Sequence, residues 1–339
     1  MTKTDHTPLL QLRDVRKQYS IRTGLGLGEP LTVTAVSRVS LTLRQGETLG
    51  LVGESGCGKS TLARLILGLE KPTSGDIHYR GGRLDEWRRL DLRRRMQMIF
   101  QDPFASLNPR QKIGDIVEEG PLIHHMGSRK ERKEAVLQLL GMVGLSPEYA
   151  NRYPHEFSGG QRQRVAIARA LALHPELVVC DEPVSALDVS IQAQVLELLA
   201  DMRKRFDLTY LFISHDLSVV GHVCERAAVM YLGSLVEEGP TESMFADPLH
   251  PYTKALLAAA PIPDPDAARR RAKLSGDPPS PIDPPGGCPF HPRCNQAFEP
   301  CSRVAPQLAE RAPGRRTACH LYDPEHQATL ATTAAKETL

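Results

Sequence analysis

The sequence predicts an α/β fold built on a partly parallel sheet, and two observations carry that prediction. Up to about Pro261, short β-branched or apolar runs alternate with longer stretches of helical period, the pattern of strands joined by crossover helices. The best strand candidates, "ETLGLVG", "LVVCDEP" and "TYLFISHD", are short apolar runs that end in polar or glycine residues. Such a strand is buried on both faces, and its carboxyl end is where an open α/β sheet places its ligands. At 339 residues the chain can bury a substantial core, as one large domain or two modest ones.

The bulk numbers exclude several function classes. A formal charge of +2 gives no reason to expect nucleic acid as the main partner. No uninterrupted apolar run is long enough to span a bilayer, and "MTKTDHTPLLQLRD" has no apolar signal-peptide core, so a cytoplasmic chain is expected. In a reducing compartment, clustered cysteines are metal ligands or catalytic groups more often than disulfides, and the total here, seven, is odd. There is no fixed-period repeat and no long heptad region.

Taken in order, the first element with chemistry is "GESGCGKST", which matches G-x-x-x-x-G-K-[ST] between the strand "TLGLV" and the amphipathic "TLARLILGL". Gly53, Gly56 and Gly58 let backbone N–H groups turn inward, with Glu54, Ser55, Cys57 and Thr61 completing the phosphate-binding loop. Lys59 reaches the β- and γ-phosphates of ATP, and the Ser60 hydroxyl joins the Mg²⁺ shell. Cys57 and Cys180 read as small packing residues. "RRLDLRRR" reads as a solvated helix face with a stray salt bridge.

"EFSGGQRQRVAIARALAL" comes next. Ser158 and Gln161 have capping-box spacing, and Gly159 and Gly160 leave the N–H groups of the helix start uncovered for a phosphate. A second phosphate-binding helix start is more than one nucleotide needs from one chain, whereas two copies arranged head to tail would use both. In "LVVCDEP" the strand delivers Asp181, a ligand for Mg²⁺ directly or through water, and Glu182, placed to polarise the attacking water. Two adjacent carboxylates are costly without a cation between them and the phosphates.

With these motifs in that order, nearly all of the first 260 residues resemble the ATP-binding cassette (ABC) ATPases. The resemblance implies a RecA-like α/β core, an antiparallel β subdomain and an α-helical subdomain bearing the signature. It implies that the signature of one subunit completes the ATP site on the phosphate loop of another. It gives Tyr19 in "VRKQYSI" an adenine-stacking role, and makes Gln101 in "MIFQDP" a catalytic residue and Mg²⁺ ligand that links the metal site to the transporter-facing groove. Asp188 in "SALD" falls on the loop that crosses the dimer interface, and His215 in "FISHD" matches the switch histidine near the γ-phosphate. Phe157 stands where the signature more often begins with leucine, a packing position.

Soluble ABC proteins are the competing class, but the long coiled coil, the second cassette and the large insertions that mark them are absent. "FQDPFASLNPR", "DEPVSALDVSIQAQVL", "HPYTKALL" and "LSGDPPSPIDPPGGCPFHPRC" resemble the ATPase subunits of bacterial dipeptide and oligopeptide importers, most of all the second ATPase of the dipeptide system. Relatives that energise nickel or glutathione import leave the cargo open. The resemblance implies a paralogous ATPase partner, two transmembrane permease subunits docking near Gln101 and "FASLNPR", a periplasmic or lipid-anchored peptide-binding protein, and a peripheral place on the cytoplasmic face of the inner membrane.

The cassette is expected over residues 5–262 and a C-terminal domain over 263–325, with a frayed tail over 326–339. Proline disfavours helix and central strand in "PIPDPDAARRRAKLSGDPPSPIDPPGG", where the boundary falls. Beyond it, Cys288, Cys294, Cys301 and Cys319 are separated by five, six and seventeen residues, wider than the pairs usual for structural zinc. A Cys₄ set suits a [4Fe–4S] cluster at least as well, with zinc and free thiols as alternatives and His291 and His320 as substitute ligands. The resemblance favours the cluster, since some peptide-importer ATPases carry one.

Overall fold

The computed structural model of the chain describes residues 8–21, 30–259 and 276–324. The predicted tail, and the part of the proline-rich segment before residue 276, lie outside them. Strands β1 (Pro8–Ile21) and β2 (Leu31–Arg44) form a long antiparallel pair before β3 (Thr48–Val52) and helix α1 (Lys59–Ile66). Next come β4 (Ser74–Tyr79), the short β5 (Gly82–Arg83), α2 (Arg89–Arg95) and β6 (Met96–Ile99). A helical stretch follows, with α3 (Pro103–Ser106), α4 (Ile113–Ile123), α5 (Arg129–Met142) and α6 (Gly159–Leu171). The chain returns to strand at β7 (Leu177–Asp181), then α7 (Val189–Phe206), β8 (Thr209–Ser214), α8 (Leu217–Val223), β9 (Arg226–Tyr231) and β10 (Ser234–Pro240). Helices α9 (Thr241–Ala246) and α10 (Pro251–Ala259) precede the last strands, β11 (Ala309–Ala312) and β12 (Arg315–Thr317).

Two sheets result, one in the order β2-β1-β4-β5 and one in the order β11-β12-β10-β9-β3-β8-β7-β6. In the second, β9, β3, β8, β7 and β6 are parallel, and the three strongest sequence candidates are its centre. Their uniform apolarity has a direct cause. Leu49, Leu51, Val179, Leu211 and Ile213 face the core shared with α1 and the antiparallel sheet. Val52, Val178, Cys180, Tyr210 and Phe212 alternate onto the other face, against the helical stretch. Cys180 and Phe212 are wholly buried.

The C-terminal strands extend this sheet, since β12 pairs with β10 as well as with β11. Glu237 on β10 is fully buried, accepts from the Leu249 and His250 N–H groups at 2.9 Å each, and pairs with Arg315 on β12 at 3.2 Å. A buried carboxylate survives only with such partners. The arginine run is less solvated than its composition implies. Arg93 donates to the Leu67 and Gly68 carbonyls beyond the end of α1, and Arg95 pairs with Glu176. Cationic donors at a helix C-terminus satisfy its orphan carbonyls.

Candidate active site

The phosphate loop begins where β3 ends, and its glycines are there for space as well as conformation. At Gly58 φ is +105°, and a Cβ would lie 2.1 Å from the Ala35 carbonyl oxygen. At Gly56 φ is +78°, with nothing within 4 Å of a Cβ, so that side of the loop is open. Lys59 is only 5% exposed and donates to the carbonyls of Gly53 at 2.7 Å and Glu54 at 2.9 Å. The loop's own carbonyls thus hold the ammonium in a buried position. Cys57 is buried next to it, and burial pushes its thiol up, so it packs as a neutral small residue.

At the end of β7 the two carboxylates have different surroundings. Asp181 is 8% exposed and accepts from the Ser60 hydroxyl at 3.4 Å, which unites two of the three expected Mg²⁺ ligands, while the third, Gln101, donates to Glu182. Burial raises the pKa of Asp181, helped by the charge of Glu182 and opposed by the Ser60 hydrogen bond. Glu182 sits in the left-handed region at φ +47°, and its N–H donates to Ile213 O on β8 at 2.9 Å. That turn swings its side chain away from the strand. One carboxylate oxygen, Oε2, then meets Gln101 Nε2 and His215 Nδ1, each at 3.0 Å. Three residues chosen separately from the sequence therefore share one oxygen atom.

Tyr19 lies near the end of β1, half-buried, and its hydroxyl donates to Glu70 at 2.5 Å. Burial raises its pKa, and Lys17 lies over its ring at 4.9 Å. Both signature bonds expected from the sequence are present: Gln161 N to Ser158 Oγ at 3.3 Å, and Ser158 N to Gln161 Oε1 at 3.0 Å. Gly160 is required by proximity, because a Cβ there would lie 2.5 Å from Ile191 on α7. Asp188 is the exposed residue before α7, and Val189 beside it is 81% exposed. Among the described residues no hydrogen bond joins Ser158, Gly159, Gly160 or Gln161 to the phosphate loop of the same chain. Phe157 is buried and meets Tyr149 edge-on, a packing role.

Two residues that sequence reasoning missed hold the loop from behind. Glu54 N–H donates to the Tyr252 hydroxyl at 2.9 Å, and the Glu54 carboxylate receives both Nη atoms of Arg293, at 2.7 and 3.0 Å. Arg293 lies 239 positions away in the cysteine-bearing segment, beyond the reach of any local pattern.

The four C-terminal cysteines converge. Cys288, Cys294, Cys301 and Cys319, with His250, Phe290, His291 and His320, line one cavity of about 10 Å³. Cys288 and Cys319 are pushed up to about 11 and about 12 by burial first, with the neighbouring thiols adding to the rise. Among the described residues, however, no group of three or more His, Cys, Asp or Glu side chains is arranged to hold a metal ion. No helix among them is long and apolar enough to cross a membrane.

A family model described as "ABC transporter" matches residues 36–185, and one described as "Oligopeptide/dipeptide transporter, C-terminal region" matches residues 236–301. The chain is 51% identical over 328 residues, 95% of its length, to the whole of the oligopeptide transport ATP-binding protein AppF of Bacillus subtilis (strain 168). It is 51% identical over 322 residues, 94% of this chain and 98% of the relative, to the dipeptide transport ATP-binding protein DppF of Haemophilus influenzae. A dimeric ATP-binding cassette solved after hydrolysis with ADP and Pi superposes with TM-score 0.60 at 30% identity, over 68% of this chain and 98% of that one. For cbiO1 from Clostridium perfringens, part of the ABC transporter complex cbiONQ, the TM-score is 0.61 at 26% identity, over 71% and 92% of the two chains. Identity at this level across nearly the full length, together with the motor and C-terminal matches, makes the chain a member of the family of ABC ATP-binding proteins of oligopeptide and dipeptide transport.

Proposed function

We propose that this chain is the ATPase subunit that energises import of di- or oligopeptides through a membrane ABC transporter. The observation that carries the chemistry is the shared Glu182 oxygen, with Gln101 and His215 on it, next to the Ser60–Asp181 pair and the buried Lys59. Lys59 exchanges its loop carbonyls for the β- and γ-phosphate oxygens of ATP. Ser60 and Asp181 would hold Mg²⁺, which supplies charge neutralisation for the phosphates when bound. Glu182 orients a water and takes its proton as the water oxygen bonds to the γ-phosphorus. The bond from that phosphorus to the β-bridging oxygen breaks, and ADP leaves. His215 and Gln101 hold the Glu182 carboxylate in the meantime and tie its position to the segments that carry them.

Head-to-tail pairing with a paralogous ATPase supplies what one chain lacks. The signature start and Asp188 are exposed and make no hydrogen bond to their own phosphate loop, and the solved cassette with ADP and Pi is a dimer. Two permease subunits dock against the face around Gln101, where Phe104 is 61% exposed, and a binding protein delivers the peptide. The chain sits peripherally on the cytoplasmic face of the inner membrane in this reading.

The cysteine shell holds a metal centre in the same reading. The donor types are those such a centre takes: four thiols line one volume, and burial first of all pushes up those of Cys288, Cys294 and Cys319, a cost that a bound cation would offset. A [4Fe–4S] cluster is preferred over a single zinc ion. One ion needs donors gathered about one point, whereas a cluster takes each thiolate on its own iron. The cavity has room for about one water, so loading requires the loop-rich shell to widen. No step of hydrolysis runs through it.

A nucleotide titration with phosphate-release kinetics tests the motor: the wild-type chain binds and hydrolyses Mg-ATP, and Lys59→Ala loses nucleotide affinity. Iron, sulfide and zinc analysis after anaerobic purification tests the centre, and a zinc-loaded protein without a thiolate-to-iron absorption band overturns the cluster.

A further inference from the structure

We propose that Arg293, in the cysteine-bearing segment, is a positioning residue for nucleotide binding: it neutralises Glu54 inside the phosphate loop and so sets the affinity for ATP. The inference rests on the reading above that this loop receives the phosphates of ATP.

A phosphate-binding loop works by turning N–H groups and a lysine toward three negatively charged groups. A carboxylate as its second residue opposes that field. Glu54 is such a residue, only one position after Gly53, and its backbone carbonyl is one of the two that hold Lys59. The fold answers with a forked pair. Arg293 Nη1 donates to Glu54 Oε2 at 2.7 Å and Nη2 to Oε1 at 3.0 Å, the bidentate geometry in which guanidinium binds carboxylate most tightly.

The arginine side chain is 5% exposed and that of Glu54 25%, so solvent screens the pair far less than it would a surface pair. The Glu54 bond is the first cause of a raised Arg293 pKa. The guanidinium also lies 3.4 Å from the Tyr231 hydroxyl and over that ring at 5.9 Å.

The arginine is itself held rigidly. Tyr231, Tyr252 and Phe290 pack ring to ring, with centroids 4.6 to 5.3 Å apart, and join the end of β9 and the start of α10 to the turn just before Arg293. Tyr252 from the same cluster receives the Glu54 N–H. The loop residue is therefore gripped at its N–H and its carboxylate from one aromatic block, while its carbonyl faces Lys59. The C-terminal segment thereby acts on the nucleotide site across 239 positions of sequence.

The test uses the full chain purified anaerobically, with variants matched to wild type in iron and zinc content, and reads ATP affinity by equilibrium titration alongside steady-state kinetics. Arg293→Ala should weaken ATP binding about tenfold, the scale of one charge-assisted hydrogen bond. The loss should fall on KM rather than kcat. Adding Glu54→Gln, which removes the uncompensated charge, should bring affinity back to within about threefold of wild type, a rescue that a merely structural arginine would not allow. Should the alanine variant fail to fold, Arg293→Gln keeps the stem and exposes the same charge, with the same loss and rescue expected.

Affinity within about twofold of wild type for the single variant, or a double variant as weak as the single, overturns the proposal. A wild-type chain that binds no ATP, with Lys59→Ala indistinguishable from it, overturns instead the reading on which the proposal rests.

Discussion

Glu182→Gln separates proton transfer from everything else this residue does. The substitution keeps the side chain's length and leaves an amide oxygen able to accept from Gln101 Nε2 or His215 Nδ1, both 3.0 Å from the native oxygen. The strain of φ +47° is the same for glutamine as for glutamate, and the Glu182 N–H bond to Ile213 is untouched. Fold and nucleotide affinity should therefore stay close to wild type. What is lost is a base for the attacking water. Positioned general bases are worth about 10² to 10⁴ in rate, which is roughly 2.7 to 5.4 kcal/mol of barrier. Single-turnover phosphate release at saturating Mg-ATP should fall at least a hundredfold, with a nucleotide titration unchanged within about twofold. Phosphate release within about threefold of wild type would refute the assignment of Glu182 as base. A variant that lost affinity and turnover together would refute the claim that its side chain is uniformly replaceable in the ground state.

Gly58→Ala should cripple the loop. The new methyl meets the Ala35 carbonyl oxygen at 2.1 Å in a left-handed backbone, and each such conformational strain alone costs about 1–3 kcal/mol; chemical denaturation and ATP titration should both register it. Asp181 makes a prediction about pH. Its carboxyl is raised above the ordinary range by burial, so between about 3.9 and the folded value the folded chain binds more protons than the unfolded one. Stability of the nucleotide-free chain must then fall as pH rises through that window, with the full cost present above it. Asp181→Asn should remove this slope and raise stability near neutrality while weakening Mg²⁺-dependent ATP binding. Urea unfolding of both proteins at stepped pH isolates the difference, and parallel curves would contradict the burial argument.

Much of the site was legible because its parts are local. The phosphate loop, the apolar strand ending in Asp181 and Glu182, and the capping box of Ser158 and Gln161 are each specified within a few consecutive residues, and each was found where its pattern put it. The three strands read from their apolar runs are central and parallel, with apolar side chains packed on both covered faces and the buried polar residues Thr48, Thr209, Ser214 and Asp181 at the strand ends. The arginine run misled in part, since a charge count cannot tell that Arg93 will find the orphan carbonyls of Leu67 and Gly68.

By itself the sequence determined where the motifs lie: the G-x-x-x-x-G-K-S loop between strand and helix, the two carboxylates at the end of an apolar strand, and the capped helix start at Ser158. These are consequences of short-range backbone geometry and side-chain chemistry. The tertiary structure alone decided that Gln101 and His215 converge on one Glu182 oxygen, that β12 carries the C-terminal segment onto β10, and that Arg293 reaches Glu54. Such contacts depend on strand order and on which faces pack together. Those are set by the burial of the whole chain, and no window of neighbouring residues contains them.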